Sequence, residues 1–431
     1  MLQDNLSVNA AGHLTVAGVD TIDLAREYGT PLYVMDEALL RENMHRYADV
    51  MKKYFPLGSM PLMASKALCF KEIYRIANAE GIGADVVSAG ELYTALAAGF
   101  PAERLYFHGS AKTLAEIRMG VEAGVGCFVV DNFEELNRIS QVAGEHGVTQ
   151  KVLLRLTPGI DPHTYEAVNT GRVDSKFGVA IETGQAFQIT EQALRTPHVR
   201  LIGFHCHIGS QIFEAEPFLD AVDIMTAYIA DIRDKLGYTA EVLNLGGGIA
   251  VPYIYRDPQV DLDGYIRAIC EHLRERCQDL RLPVPVVLME PGRSISADAG
   301  ITLYTVQNIK TIPGYKVYVA VDGGMTDNPR YALYGAEHTA VVANRAGEPA
   351  DEIVTIAGRC CESDALIGEN MSVQHAEVDD IIAVLVTGAY NYSMASNYNR
   401  VPRPPVVMLR DGQARVVVRR ETFEDVVSCD L

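Results

Sequence analysis

Lys66 closes an apolar run in the stretch MPLMASKALCF, residues 60–70. Read as one buried strand, that run sets the amine at its C-terminal tip. A lysine in a dry setting gives up its charge more readily and can condense with an aldehyde. Four other stretches carry residue types that suit the same chemistry. They are Asp85 in GADVVSAGEL, the pair His205 and His207 with Ser210 in FHCHIGSQ, the triple glycine at 246–248, and Glu290 with Gly292 and Arg293 in EPGR. A carboxylate at a pyridine nitrogen keeps that nitrogen protonated and turns the ring into an electron sink. An imidazole can lie against the ring, and Ser210 with Gly247 and Gly248 can receive a phosphate through a hydroxyl and open backbone N–H groups. The set points to pyridoxal 5'-phosphate held as a Schiff base.

Each residue has a plainer use. Lys66 can lay its stem along apolar surface with its ammonium in water. A triple glycine can be a flexible turn, and Glu290 can pair with Arg293. His205 and His207 are expected to face opposite ways, one into the fold and one out. With Cys361 they also offer a zinc set, although a buried lysine and a phosphate-type turn suit the aldehyde cofactor better than a metal, and no metal is expected.

The elements that would position these residues follow a regular alternation. Apolar strands are expected near 60–65, 84–88, 104–108, 127–130, 151–156, 201–206, 242–245 and 286–289. Amphipathic helices fall between them, as at 111–123, 132–146 and 217–236, the last with Phe218, Val222, Met225, Ile229, Ile232 and Leu236 three or four residues apart. Strand and helix in turn give parallel βα units. Eight units point to a closed (β/α)8 barrel of the TIM type, with an open doubly wound sheet as the alternative. In a barrel the strand tips form one surface. Lys66, Asp85, His108, Arg155, His205, Gly246 to Gly248 and Glu290 then converge by topology.

Beyond residue 293 strand-like runs follow with little helix, at 301–306, 316–320, 352–357, 381–385, 406–409 and 414–420. The expectation is a barrel domain over 34–294 and a mainly β C-terminal domain over 295–431, with 1–33 attached to it. The N-terminal LTVAG piece is the strand expected to cross over and join it.

Bulk properties remove whole classes of function. The chain has 431 residues, a formal charge of -19 and no basic block, which argues against nucleic acid. No run approaches the length of a membrane span, and the start MLQDNLSVNAAGHL lacks the features of a secretory signal. A cytoplasmic protein acting on a small molecule is expected. Eight cysteines without a CxxC pattern read as reduced thiols, with Cys361 singled out for chemistry.

The series MASKA, GADVVSAGEL, DSKFG, FHCHIGSQ, LGGG, EPGR, DGGMTDNPRYALYGA, CCESDA and GAYNYSMASNYN, in that order, resembles the fold-type III pyridoxal-phosphate-dependent decarboxylases, whose barrel is alanine racemase-like. The resemblance runs from about residue 12 to 425. It implies decarboxylation of meso-2,6-diaminopimelate to L-lysine, with another basic amino acid or derivative such as ornithine, arginine or lysine as the alternative substrate. By resemblance Lys66 carries the cofactor, Glu290 meets the pyridine nitrogen, and His207 lies on the ring face. Ser210, Gly247, Gly248, Gly292 and Arg293 take the phosphate, with Asp85 and His205 also near the cofactor. Cys361 is the implied proton donor, Glu362 a substrate ligand, and Tyr390 a contact of both cofactor and substrate. Arg293, Arg330 and Tyr334 resemble the substrate-binding set. The family also implies a homodimer in which the second domain completes the partner's site. Met63, Leu68, Arg359 and Ala365 depart from residues common in the family, and none removes a catalytic atom.

Overall fold

The structure, a computed structural model, describes residues 3–160 and 174–431. The chain divides into two compact units. One comprises residues 44–250 and 260–292; the other comprises residues 1–43, 251–259 and 293–431.

The first unit contains eight parallel strands: β1 (Met60–Ala64), β2 (Gly83–Val86), β3 (Leu105–Phe107), β4 (Cys127–Val130), β5 (Gln150–Thr157), β6 (Val199–His205), β7 (Val242–Asn244) and β8 (Val286–Met289). They pair in chain order, and the β8–β1 pairing closes the ring. The expected barrel is therefore the observed one. Closure leaves no exposed edge, which is why the strands read as continuous apolar runs. A short strand, Val179–Ala180, adds to the end of β5.

Inside the barrel, Leu62, Cys127, Val129, Leu153, Ile202 and Leu288 form one buried cluster below the strand tips. Its residues come from strands around the ring, so the interior is a packed core and only the C-terminal rim is open to chemistry. Helices begin where side-chain caps demand. Thr113 and Glu116 form a capping box for Leu114–Ala123, and Asn132 caps Phe133–Glu145. The long helix Glu216–Leu236 has proline in its first turn and left-handed Gly237 at its end. β6 is irregular between Leu201 and Gly203. A Cβ on Gly203 would stand 1.8 Å from the Val242 carbonyl oxygen, so only glycine allows β6 and β7 to pack this closely and to deliver His205 to the rim.

The second unit is built on a mixed sheet. Its order is Leu366–Val373, Glu352–Ala357, Lys316–Val321, Gly300–Ile312, Leu32–Asp36, Val406–Arg410 and Gln413–Val418, with Ile381–Val384 and Ala340–Val342 joined through Gly300–Ile312. Tyr304, Val319, Val342, Ile356, Ile367 and Val384 lie in its core. The early strand that enters this sheet is Leu32–Asp36, antiparallel to Gly300–Ile312 and parallel to Val406–Arg410. The LTVAG piece does not: Leu14–Val16 pairs only in a small separate sheet with Leu6–Val8 and Val19–Asp20. The apolar run LYVMD, buried throughout, suits the sheet interior, whereas LTV is flanked by turns too closely to extend. Glu37, just after the strand, is buried and anchored by Arg41, Arg410 and Arg415. No helix among the described residues is long and apolar enough to cross a membrane.

Candidate active site

In the barrel unit, β1 stops at Ala64 and a single 3-10 turn, Ser65–Ala67, carries Lys66. Asp85 at the end of β2 pins that turn: its Oδ1 accepts from the Ser65 N–H at 3.2 Å, and its carbonyl accepts from the Ser65 hydroxyl. Tyr74 donates to the same hydroxyl at 2.7 Å. The turn swings Lys66 out of the strand, and its side chain is exposed. The expectation of a dry strand tip is thus corrected, because the residue lies beyond the strand and the buried neighbours Ser65 and Ala67 take the inward positions. Its ammonium still acts on Asp85, Glu91 and His207.

Glu290, one residue past β8, is buried and held from three sides. Asn244 Nδ2 donates to Oε1 at 2.7 Å, His108 Nε2 lies 2.8 Å from Oε1, and His205 Nε2 lies 3.4 Å from Oε2. The two imidazole rings meet edge to face, with centroids 4.9 Å apart. Burial alone would raise the Glu290 carboxyl, but His108 and His205 outweigh it and hold the group well below the usual carboxylate range. Burial drives His205 down to about 4 and lowers His108 also, with Glu290 opposing in both cases. The Glu290 carboxyl is thereby held in its ionised form, with a ring nitrogen of each imidazole turned to its oxygens. Asp85 behaves oppositely: burial, then the charge of Glu290, pushes its carboxyl well up. The two acids have been driven apart by their surroundings, a pattern typical of reactive sites.

His207 lies past the end of β6. Burial, followed by Lys66 and Arg155, pushes its imidazole well below the ordinary value, and Glu290 and His205 act on it as well. His205 and His207 therefore do not face opposite ways as expected; both sense the same charged groups at the rim. A residue spacing of two keeps side chains on one face of a strand.

The triple glycine adjoins this group, and close packing is one reason for glycine there. A Cβ on Gly247 would stand 2.1 Å from the Glu290 carbonyl oxygen, and one on Gly248 would stand 2.5 Å from that of Gly209. The glycines let the turn press against its neighbouring loops, and the N–H groups of Gly247 and Gly248 donate to no acceptor among the described residues. Gly292 packs likewise on the lysine turn, where a Cβ would meet the methyl groups of Ala64 and Ala67 at 2.8 and 2.9 Å. Ser210 is half-buried on the loop after β6. Asn244 joins the two halves of the group, since its Oδ1 accepts the Gly246 N–H at 2.9 Å while its Nδ2 serves Glu290. The sequence reading gives His108 no role beyond a strand tip and passes over Asn244. The signal for Asn244 is a polar residue closing an apolar strand, one residue short of the glycines.

A second group lies within the β-rich unit. Arg330 opens the short helix Arg330–Tyr334, and Arg293 opens Arg293–Ser296. Both arginines are buried. The Tyr390 ring lies 4.8 Å from the Arg293 guanidinium and 5.4 Å from that of Arg330, and Tyr334 lies 5.7 Å from Arg330. Arg330 has no acidic partner among the described residues, its Nε is buried without an acceptor, and burial lowers its pKa from the ordinary value. Tyr390 has φ +61°, a left-handed backbone uncommon for a bulky side chain and often kept at functional sites. Cys361 and Glu362 occupy another segment, the turn between Glu352–Ala357 and Leu366–Val373. Cys361 is exposed, and Glu362 accepts from the Tyr398 hydroxyl.

The family described as pyridoxal-dependent decarboxylase, pyridoxal binding domain, matches residues 39–297. The diaminopimelate decarboxylase of Bacillus subtilis (strain 168) is 46% identical over 423 residues, covering 98% of this chain and 96% of the relative. The chain belongs to the diaminopimelate decarboxylase family. The Staphylococcus aureus (strain COL) member is 41% identical over 423 residues, covering 98% of each chain. The crystal structure of the M. jannaschii diaminopimelate decarboxylase in complex with L-lysine superimposes with a TM-score of 0.92 at 34% identity, covering 100% of this chain and 99% of that one.

The barrel group fits the cofactor of this family. It offers an amine, an ionised buried carboxylate and two backbone donors without acceptors, which match an aldehyde, a ring nitrogen and a phosphate. Among the described residues the ligand atoms of His108, His205 and Glu290 are also close enough to share a metal ion. Cys361, which the sequence offered with His205 and His207 as a rival zinc set, belongs to the other unit. The amine and the glycine turn have no part in a metal site.

Proposed function

We infer that the chain converts meso-2,6-diaminopimelate to L-lysine and CO2 with pyridoxal 5'-phosphate, and the observation that carries this substrate is Arg330, a buried guanidinium awaiting an anion. When bound, the cofactor supplies an electron sink for the carbon that loses CO2. Lys66 provides the amine that holds it, on a turn fixed by Asp85. Glu290 keeps a proton on the ring nitrogen, with His205 donating to Glu290 rather than competing for that proton. Gly247, Gly248, Ser210 and the Gly292–Arg293 turn take the phosphate, and His207 lines the ring.

The substrate carries a carboxylate that remains on the product, and a planar guanidinium reads that group better than a lysine ammonium would. Arg293, Arg330, Tyr334 and Tyr390 form that recognition set, and Glu362 accepts the ammonium beside the retained carboxylate. Cys361 delivers the proton that replaces CO2. The exposure of Cys361 supports a homodimer in which this thiol and Glu362 serve the Lys66 of the partner subunit. A cytoplasmic location follows from the amino-acid substrate and the reduced cysteines.

The direct test is release of CO2 and L-lysine from meso-diaminopimelate, assayed beside ornithine, arginine and lysine. Turnover of the dicarboxylate alone supports the assignment; preference for ornithine overturns it. Arg330→Ala is expected to lower kcat/KM for diaminopimelate by roughly 30- to 5,000-fold, the equivalent of about 2–5 kcal/mol for a buried charged contact. Any residual activity on a substrate lacking the distal carboxylate should fall far less. Equal losses would remove Arg330 from substrate recognition.

A further inference from the structure

The two arginines of the β-rich unit pose a physical problem. Arg293 and Arg330 are both buried and both lie against Tyr390, so two like charges are held close together away from water. Tyr253 supplies a restraint. It belongs to the short segment 251–259 that groups with this unit rather than with the barrel. Its hydroxyl accepts from Arg293 Nη1 at 2.8 Å. Its ring centre lies 5.6 Å from the Arg293 guanidinium and 5.9 Å from that of Arg330, within the range where a ring attracts a cation.

Tyr253 is itself unusually well fixed. Its N–H donates to Asp257 Oδ2 at 2.8 Å, and its carbonyl accepts from Thr339 Oγ1 at 3.1 Å. The His338 ring meets it edge on, with centroids 5.1 Å apart, and His338 Nδ1 is in turn 3.2 Å from the Leu385 carbonyl oxygen. Burial, then Arg330, pushes the His338 imidazole down to about 3, so this neighbour adds no third positive charge. The tyrosine is thus held at both backbone polar groups and at its ring, and it presents one oxygen and one π-face to two guanidiniums.

We propose that Tyr253 is a positioning residue for carboxylate recognition, spacing Arg293 and Arg330 so that both can engage the carboxylate that the substrate keeps. This deepens the assignment above and rests on its reading of the arginines as the carboxylate site. Tyr253 touches no reacting atom and its effect is on specificity. Without the hydroxyl, Arg293 loses the acceptor that Tyr253 gives it; without the ring, Arg330 loses one of its three aromatic neighbours as well.

The test uses the holoenzyme and compares two ligands of the same length, L-lysine, which carries the carboxylate, and 1,5-diaminopentane, which lacks it. Tyr253→Phe keeps the ring and is expected to raise KM for diaminopimelate and the inhibition constant of L-lysine together by about 10-fold, the scale of one hydrogen bond to a charged group. Values of kcat and of the inhibition constant for 1,5-diaminopentane should stay within about twofold of the parent. Tyr253→Leu should widen the gap between the two inhibitors, with the melting temperature and the cofactor absorbance of each variant recording that the fold is intact. If Tyr253→Phe weakens both inhibitors equally, or neither, the positioning role is overturned. Arg330→Ala serves as the reference. If it discriminates L-lysine from the diamine and Tyr253→Phe does not, only the Tyr253 assignment fails; if Arg330→Ala shows no discrimination, the carboxylate reading fails and takes this assignment with it.

Discussion

Lys66→Ala is expected to lose the long-wavelength absorbance of the bound cofactor and to fall to background turnover, because no other described residue combines an amine with this position. Asp85 and the packing of Gly292 on Ala64 and Ala67 fix the turn through backbone atoms and methyl groups, so alanine at 66 leaves the fold in place. The loss should therefore appear in the spectrum and in CO2 release, while the thermal midpoint barely moves. Added pyridoxal 5'-phosphate should still bind through the glycine turn and Glu290, now reversibly and removable by dialysis. A mutant that keeps the parent spectrum would show that another amine holds the cofactor.

The second large effect is expected at Cys361. Cys361→Ala should retain the cofactor spectrum and lose roughly 10²–10⁴-fold in kcat, the usual contribution of a positioned general acid. Cys360 provides the internal control. Its thiol is half-buried, and burial followed by the charge of Glu362 raises its pKa. Cys360→Ala should lose little, and a single-turnover assay of CO2 release separates decarboxylation from the later protonation. If Cys361→Ala turns over like the parent, water or another group supplies the proton.

The barrel was legible because closure buries every strand on both faces and leaves an apolar run that only a short strand fits. The carboxylate and glycine positions at its rim were legible for the same reason, since polar residues interrupt those runs only at strand tips. What escaped the sequence reading depends on atoms rather than patterns. The setting of Lys66 is decided by one 3-10 turn that exposes its side chain. The need for glycine at 247 and 248 arises from neighbouring carbonyl oxygens, not from the ligand alone. Asn244 is polar and fully buried, and only its two hydrogen-bond partners reveal its purpose. In the β-rich unit, Leu366–Val373 was missed because Gly368 and left-handed Asn370 break its alternation. Tyr253 follows the glycine turn by a few residues, and no pattern announces that its segment groups with the other unit.

The place of Leu32–Asp36 bears on how the molecule is made. This strand is synthesised before every strand of the barrel, yet one of its hydrogen-bonding neighbours, Val406–Arg410, is synthesised after all of them. The β-rich sheet cannot be completed until the whole barrel has been made, so its pairing spans a very long sequence separation. During that interval an apolar strand waits with an unpaired edge, which makes the nascent chain a natural client for chaperones and makes the loss of Val406–Arg410 a defect of folding as much as of stability.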